Sequence, residues 1–170
     1  FTRKPIYTKT LSQPRLLYVL MKLESGEISK FSENVKIVPT ELSIEHIMPQ
    51  SWYGVWPLKD GKQVSSEQVE NARRVEMLGL PMDPSSKAIA YRENVVNTVG
   101  NLTLITGRLN SSVSNGVFSE KRGKILQHSA LKLNRYFHEI SEWDEEAIVQ
   151  RADTLFLTAG KIWPRPNAAA

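Results

Sequence analysis

Two stretches decide how this chain reads. The first is Ile44-Glu45-His46-Ile47-Met48-Pro49-Gln50. The second is Gly100-Asn101-Leu102-Thr103-Leu104-Ile105-Thr106, which runs on into Gly107-Arg108-Leu109-Asn110. In the first, a carboxylate and an imidazole stand side by side at the end of a short strand beginning Leu42-Ser43-Ile44, and Pro49 closes that strand. In the second, Leu102, Leu104 and Ile105 form the apolar set of a strand within 97–106. Gly107 interrupts it, and a polar turn opens a basic region. Each stretch is ambiguous alone: a Glu-His pair is commonly a surface or packing feature, and an Asn at a helix start is commonly a cap.

Working outward, Leu16, Leu17, Val19, Leu20 and Leu23 recur at helical spacing, so Pro14 to Glu24 reads as a helix stopped at Gly26. Val35-Lys36-Ile37-Val38 reads as a further short strand, separated from Leu42-Ser43-Ile44 by Pro39. Residues 50–62, rich in Trp, Gly and Pro, read as a loop. Ser65 or Ser66 caps a helix running to about Leu78, and Gly79 ends it. A short helix is expected over 86–98, another over 119–127, and another near 131–136. The clearest helix opens at Asp144, with Glu145 and Glu146 on its positive end. Its stripe of Ile148, Ala152, Leu155, Ala159 and Ile162 is core packing, and Gly160 and Pro164 mark its end.

Composition narrows the chemistry. The chain has 170 residues, 41% apolar and 24% charged, which is ordinary for a globular protein and excludes a disordered chain. It has no cysteine, so disulfides, thiolate nucleophiles and zinc-cysteine sites are excluded. With only His46, His128 and His138 available, a metal site must rely mainly on oxygen ligands. No apolar run is long enough to span a membrane. The net charge of +4 hides an uneven distribution: residues 101–135 carry six basic and one acidic side chain, and 136–153 carry one basic and six acidic. The basic block (Arg108, Lys121, Arg122, Lys124, Lys132 and Arg135) could follow a phosphate backbone, or be a solvated face balanced by the acidic stretch. The opening Phe1-Thr2-Arg3, without Met, reads as a piece of a longer protein.

Together and in this order, the two stretches resemble the HNH nucleases, the ββα-metal or His-Me finger group. Glu45-His46 followed by Pro49 has the form of their first strand end. Asn101, at the start of the second strand, stands nine residues before Asn110, at the finger helix. The flanks narrow the likeness. Gly100 to Leu104, Leu109-Asn110-Ser111, Ser114-Asn115, Phe118 and Lys121 resemble the C-terminal nuclease domain of GmrSD-type restriction enzymes. So do the Leu-rich first helix and the run Trp143, Arg151, Ile162-Trp163-Pro164.

The resemblance implies a mainly helical α+β fold. It has a ββα-metal (His-Me finger) core, a long insertion between the two finger strands, and flanking helices. Residues 1–165 then form a single HNH-type domain. Segments 44–50 and 100–127 are its finger core, 51–99 the insertion and 128–165 C-terminal helices, with 166–170 a tail. The activity implied is metal-dependent hydrolysis of DNA phosphodiesters, leaving 5′-phosphate and 3′-hydroxyl ends. His46 is the expected general base, since an imidazole with a pKa near 6.5 is largely neutral at pH 7–8. Asn101 is expected to brace the hairpin. Glu45 and Asn110 are expected to hold one Mg2+, with Mn2+ able to substitute and no zinc-cysteine site.

Arg108, Asn115, Lys121, Arg122 and Lys124 are candidate DNA contacts, with solvated or capping roles the alternatives for Arg108, Lys121 and Asn115. Trp52, Tyr53 and Trp56 either stack on bases or anchor the insertion to the core. His128 and His138 fall outside both motifs, as helix-surface or core side chains. Double-stranded DNA is the expected partner, together with an N-terminal ParB-like, nucleotide-hydrolysing domain in the full-length protein. A homo-oligomer fits double-strand cutting, and no membrane is involved. The implied setting is the bacterial cytoplasm and defence against phage. Two other readings compete: a non-catalytic nucleic-acid-binding module that kept the fold, and an interaction domain docking through its acidic segment.

Overall fold

The computed structural model describes residues 2–7, 10–27, 41–113 and 116–164. Among these residues lie seven α-helices and one two-stranded antiparallel sheet, a mainly helical α+β arrangement. The expected strand over 35–38 falls outside the described residues. None of the described helices is long and apolar enough to cross a membrane.

The first helix, α1, spans Gln13–Gly26 and starts with Pro14 in its first turn, where a missing N–H costs nothing. Leu16, Leu20 and Leu23, one helical stripe, are completely buried, and each contributes about 2 kcal/mol of apolar burial. Strand β1 follows at Leu42–His46. The chain then turns through a Trp-rich loop into α2, Ser66–Met77. A reciprocal capping box holds its start, with Ser65 accepting from Gln68 N and Gln68 accepting from Ser65 N. Gly79 sits at φ 64°, the left-handed turn that a Gly tolerates best. Next, α3 spans Pro84–Val96, capped by the Asp83 carboxylate, so it begins and ends two residues earlier than the sequence pattern implied.

A 3-10 turn over Val99–Asn101 leads into β2, Leu102–Thr106. The strands pair antiparallel, with Leu42 opposite Thr106, Ile44 opposite Leu104, Glu45 opposite Thr103 and His46 opposite Leu102. At once α4 begins, over Gly107–Val113. The sequence reading put a polar turn here, with the helix starting at Asn110. Gly107 instead opens the helix, and Leu109 and Val113 anchor one side of it in the core. Then come α5, Phe118–His128, and α6, Lys132–Arg135, with a 3-10 turn at Tyr136–His138. The last helix, α7, spans Glu145–Ile162, and its Asp144 cap accepts from Ala147 N at 2.8 Å. Gly160 lies inside this helix and does not end it.

The sheet lies between two apolar clusters because successive residues of a strand face opposite ways. Leu42, Ile44, Leu102 and Leu104 join the cluster made with α1 and α7. Ile105 joins the other, with Ile47, Met48, Trp52, Trp56, Leu109, Phe118 and Trp143. The start of β2 is pressed against α7. A Cβ on Gly100 would stand 2.0 Å from the Ile148 carbonyl oxygen, so this backbone approach admits glycine alone.

Candidate functional site

The end of β1 is held by two buried polar side chains that reach it from elsewhere. Asn101 is fully buried and uses its whole amide. Its Oδ1 accepts from Met48 N at 2.8 Å and from Trp143 Nε1 at 3.0 Å. Its Nδ2 donates to the Met48 and Val96 carbonyls, both at 2.8 Å. Ile47 N also donates to the Asn101 backbone oxygen at 3.0 Å. The bend Ile47-Met48-Pro49 is thereby fastened to the start of β2.

Lys121, on α5, is the second. Its ammonium is completely enclosed and donates to Glu45 Oε1 at 2.6 Å, His46 O at 2.7 Å and Ile47 O at 3.1 Å. The sequence reading offered Lys121 as a DNA contact or a solvated helix residue. The structure places it inside the protein instead, with its three donors used on β1 and the bend after it. Burial is the dominant influence on this pair: it pushes the Glu45 carboxyl up against the opposing pull of Lys121, and it pulls the Lys121 amine down.

Glu45 and His46 part company at this point. Ser43 and Glu45 share one face of β1, and Asn110 of α4 joins that face by donating Nδ2 to Ser43 Oγ at 3.1 Å. The Asn110 Oδ1 has no hydrogen-bond partner among the described residues. Glu45, Asn110 and Lys121 therefore belong to the side of the hairpin covered by α4 and α5. His46 lies on the opposite face, where the Tyr7 ring meets it edge-on with centroids 4.4 Å apart. His46 is only 8% exposed, and its Nε2 is a buried atom without a hydrogen-bond partner. Burial draws its pKa down to about 4, Asn97 opposes that shift through a side-chain hydrogen bond, and Lys121 adds to it. The imidazole is therefore neutral across the physiological range.

The remaining expected residues separate cleanly. Arg108 is exposed and makes no hydrogen bond or ion pair among the described residues. Arg122 donates to the Phe137 and His138 carbonyls, both at 2.7 Å, and ties α5 to the following turn. Lys124 is exposed and donates to the Ser112 carbonyl. Asn115 lies outside the described residues. His128 and His138 are both exposed. Trp52 and Trp56 are core residues: Trp52 Nε1 donates to Glu93 at 2.6 Å and Trp56 Nε1 to the Gly116 carbonyl at 3.3 Å, so both anchor the segment between the two strands.

Three neighbours of the site went unnoticed in the sequence. Ser43 had a signal, since it lies two residues before Glu45 on the same strand face. Tyr7 and Asn97 had none, because only the folded chain brings them to His46.

The GmrSD restriction endonuclease C-terminal domain family matches residues 1–157. The chain belongs to this family. No curated protein and no solved structure matches it. The match spans both strands, the segment between them and the helices that follow. In this GmrSD-type domain the strand end is held by Asn101 from within the second stretch and by Lys121 and Trp143 from outside both.

Proposed function

We propose that this GmrSD-type domain is a metal-dependent DNA endonuclease of the HNH class, built on a ββα-metal core formed by β1, β2 and α4. The observation that carries the reading is His46: a neutral, buried imidazole with an unpartnered Nε2, at a strand end fastened by Asn101. Leaving a buried polar atom unpaired costs about 1–3 kcal/mol, a cost accepted more readily where the atom has work to do.

The donor set on the Glu45 face suits a hard divalent cation. Glu45 and Asn110 offer oxygen ligands, and the Asn110 oxygen is unengaged among the described residues. No group of three His, Asp or Glu side chains gathers there among the described residues, so the rest of the shell would come from water and DNA phosphate. When bound, Mg2+ or Mn2+ would neutralise charge on the phosphate and stabilise the departing 3′ oxygen.

The chain's own residues have distinct tasks. His46 Nε2 accepts a proton from the attacking water, for which it must be neutral, must be uncovered from the Tyr7 ring and must turn from its own face of β1 toward the phosphate that a cation on the Glu45 face would hold. Asn101 holds the bend that sets the imidazole's backbone. Asn110 is held against β1 by Ser43. Exposed Arg108, next to Asn110 on α4, meets the DNA backbone. The substrate is double-stranded DNA, the products carry 5′-phosphate and 3′-hydroxyl ends, and the biological setting is bacterial defence against phage in the cytoplasm. There the domain acts as the effector of a longer chain with an N-terminal nucleotide-hydrolysing domain.

Supercoiled plasmid incubated with the protein and Mg2+ tests this. Conversion to nicked or linear DNA, abolished by chelation, is expected. DNA binding without any metal-dependent cleavage would instead support a module that kept the fold and lost the chemistry.

A further inference from the structure

Lys121 is the one described side chain that bonds to both Glu45 and His46, whose own side chains diverge to opposite faces of β1. An ammonium is a compact point charge with three donors. Here all three meet acceptors at the strand end, inside the protein, so the group cannot double as a surface contact for phosphate. Its charge stands 2.6 Å from a carboxylate oxygen that the nuclease reading gives to a divalent cation. Two cations on one carboxylate repel each other, and strongly so where solvent is excluded.

We propose that Lys121 is a built-in counter-cation for Glu45. It is a positioning residue that fixes the carboxylate and the strand end in the metal-free protein, and it keeps divalent-metal affinity low until a DNA phosphate adds negative charge and ligands. The inference rests on the nuclease reading of the same site. It accounts for a cation at a place where a metal ligand is expected, and for the survival of a buried carboxylate in the free protein. Removing the charge should have two opposite effects. The carboxylate, left without its ammonium, takes up a divalent cation more tightly. The strand end, left without three hydrogen bonds, loses the geometry that turnover needs.

The experiment titrates Mn2+ into the protein without DNA, following free Mn2+ by electron paramagnetic resonance, and measures plasmid cleavage at saturating Mn2+. Lys121→Met is expected to bind Mn2+ about tenfold more tightly and to turn over at least about tenfold more slowly. Lys121→Arg, which keeps the charge, is expected to stay within about twofold of the parent in Mn2+ affinity. Unchanged or weaker Mn2+ binding by Lys121→Met overturns the proposal, as does unchanged turnover, because a merely structural lysine would weaken both properties together. If circular dichroism shows Lys121→Met unfolded, Lys121→Gln, which keeps donors for the two carbonyls, carries the same comparison. A parent that binds Mn2+ but never cuts DNA overturns the nuclease reading and leaves the affinity difference to judge Lys121 alone. A parent that binds no Mn2+ even when DNA is added overturns both.

Discussion

Acidification probes His46 without needing DNA or metal. Its ordinary pKa is 6.5, and burial lowers it to about 4 in the folded chain. Between those values the unfolded chain holds a proton that the folded chain refuses, so stability falls as the pH falls. The contribution is fully present above about pH 6.5 and is lost progressively down to about pH 4. At 1.36 kcal/mol per pH unit, the loss between pH 7 and pH 4 is about 3 kcal/mol. Glu45 works in the opposite direction, because burial raises its pKa and makes its folded form the readier proton acceptor.

The informative quantity is therefore a difference between two proteins that share Glu45. Urea unfolding followed by tryptophan fluorescence at pH 7, 6, 5 and 4 gives the stability curve for the parent and for His46→Gln. The gap between the curves should change by about 3 kcal/mol across this range, with the parent declining more steeply on acidification. Parallel curves would mean that His46 titrates alike in the folded and unfolded chains and is not the sealed, neutral imidazole described above.

Three other substitutions follow from the packing. Asn101→Ala strips four hydrogen bonds from buried partners and should cost about 3–5 kcal/mol in urea unfolding, with the bend at Ile47–Pro49 the first part to gain amide exchange. Gly100→Ala would place a methyl 2.0 Å from the Ile148 carbonyl oxygen, so α7 must shift, and the thermal midpoint should drop by about 10 °C or more. Arg108→Ala should leave stability within about 0.5 kcal/mol of the parent, while weakening DNA binding and reducing the salt dependence by about one ion.

Much of the local structure was legible because its causes are local. The Ser65 cap with Gln68, the Asp144 cap and the Leu stripe of α1 depend on residues three or four apart. The pairing of Ile44-Glu45-His46 with the strand after Asn101 was legible only through the joint spacing of two distant stretches. What escaped was set by tertiary burial. The basic block looked like one surface, yet Lys121 is enclosed and Arg122 is bound to backbone carbonyls, and only Arg108 and Lys124 of the five candidate contacts are seen exposed. An amphipathic pattern does not show which lysine of a helix meets a buried carboxylate contributed by a strand far away in sequence. The split between Glu45 and His46 follows from strand alternation and was predictable. What covers each face was not, because Tyr7 and α5 come from segments far apart in the chain.

His46 is proposed above as the base of a metal-dependent DNA nuclease. Cleavage of supercoiled plasmid by the parent and by His46→Ala, side by side in Mg2+ and in chelator, tests it most directly. Cleavage by the parent in Mg2+, none in chelator, and a loss of at least about a hundredfold for a folded His46→Ala that still binds DNA are expected. Cleavage by His46→Ala at the parent's rate would contradict that role.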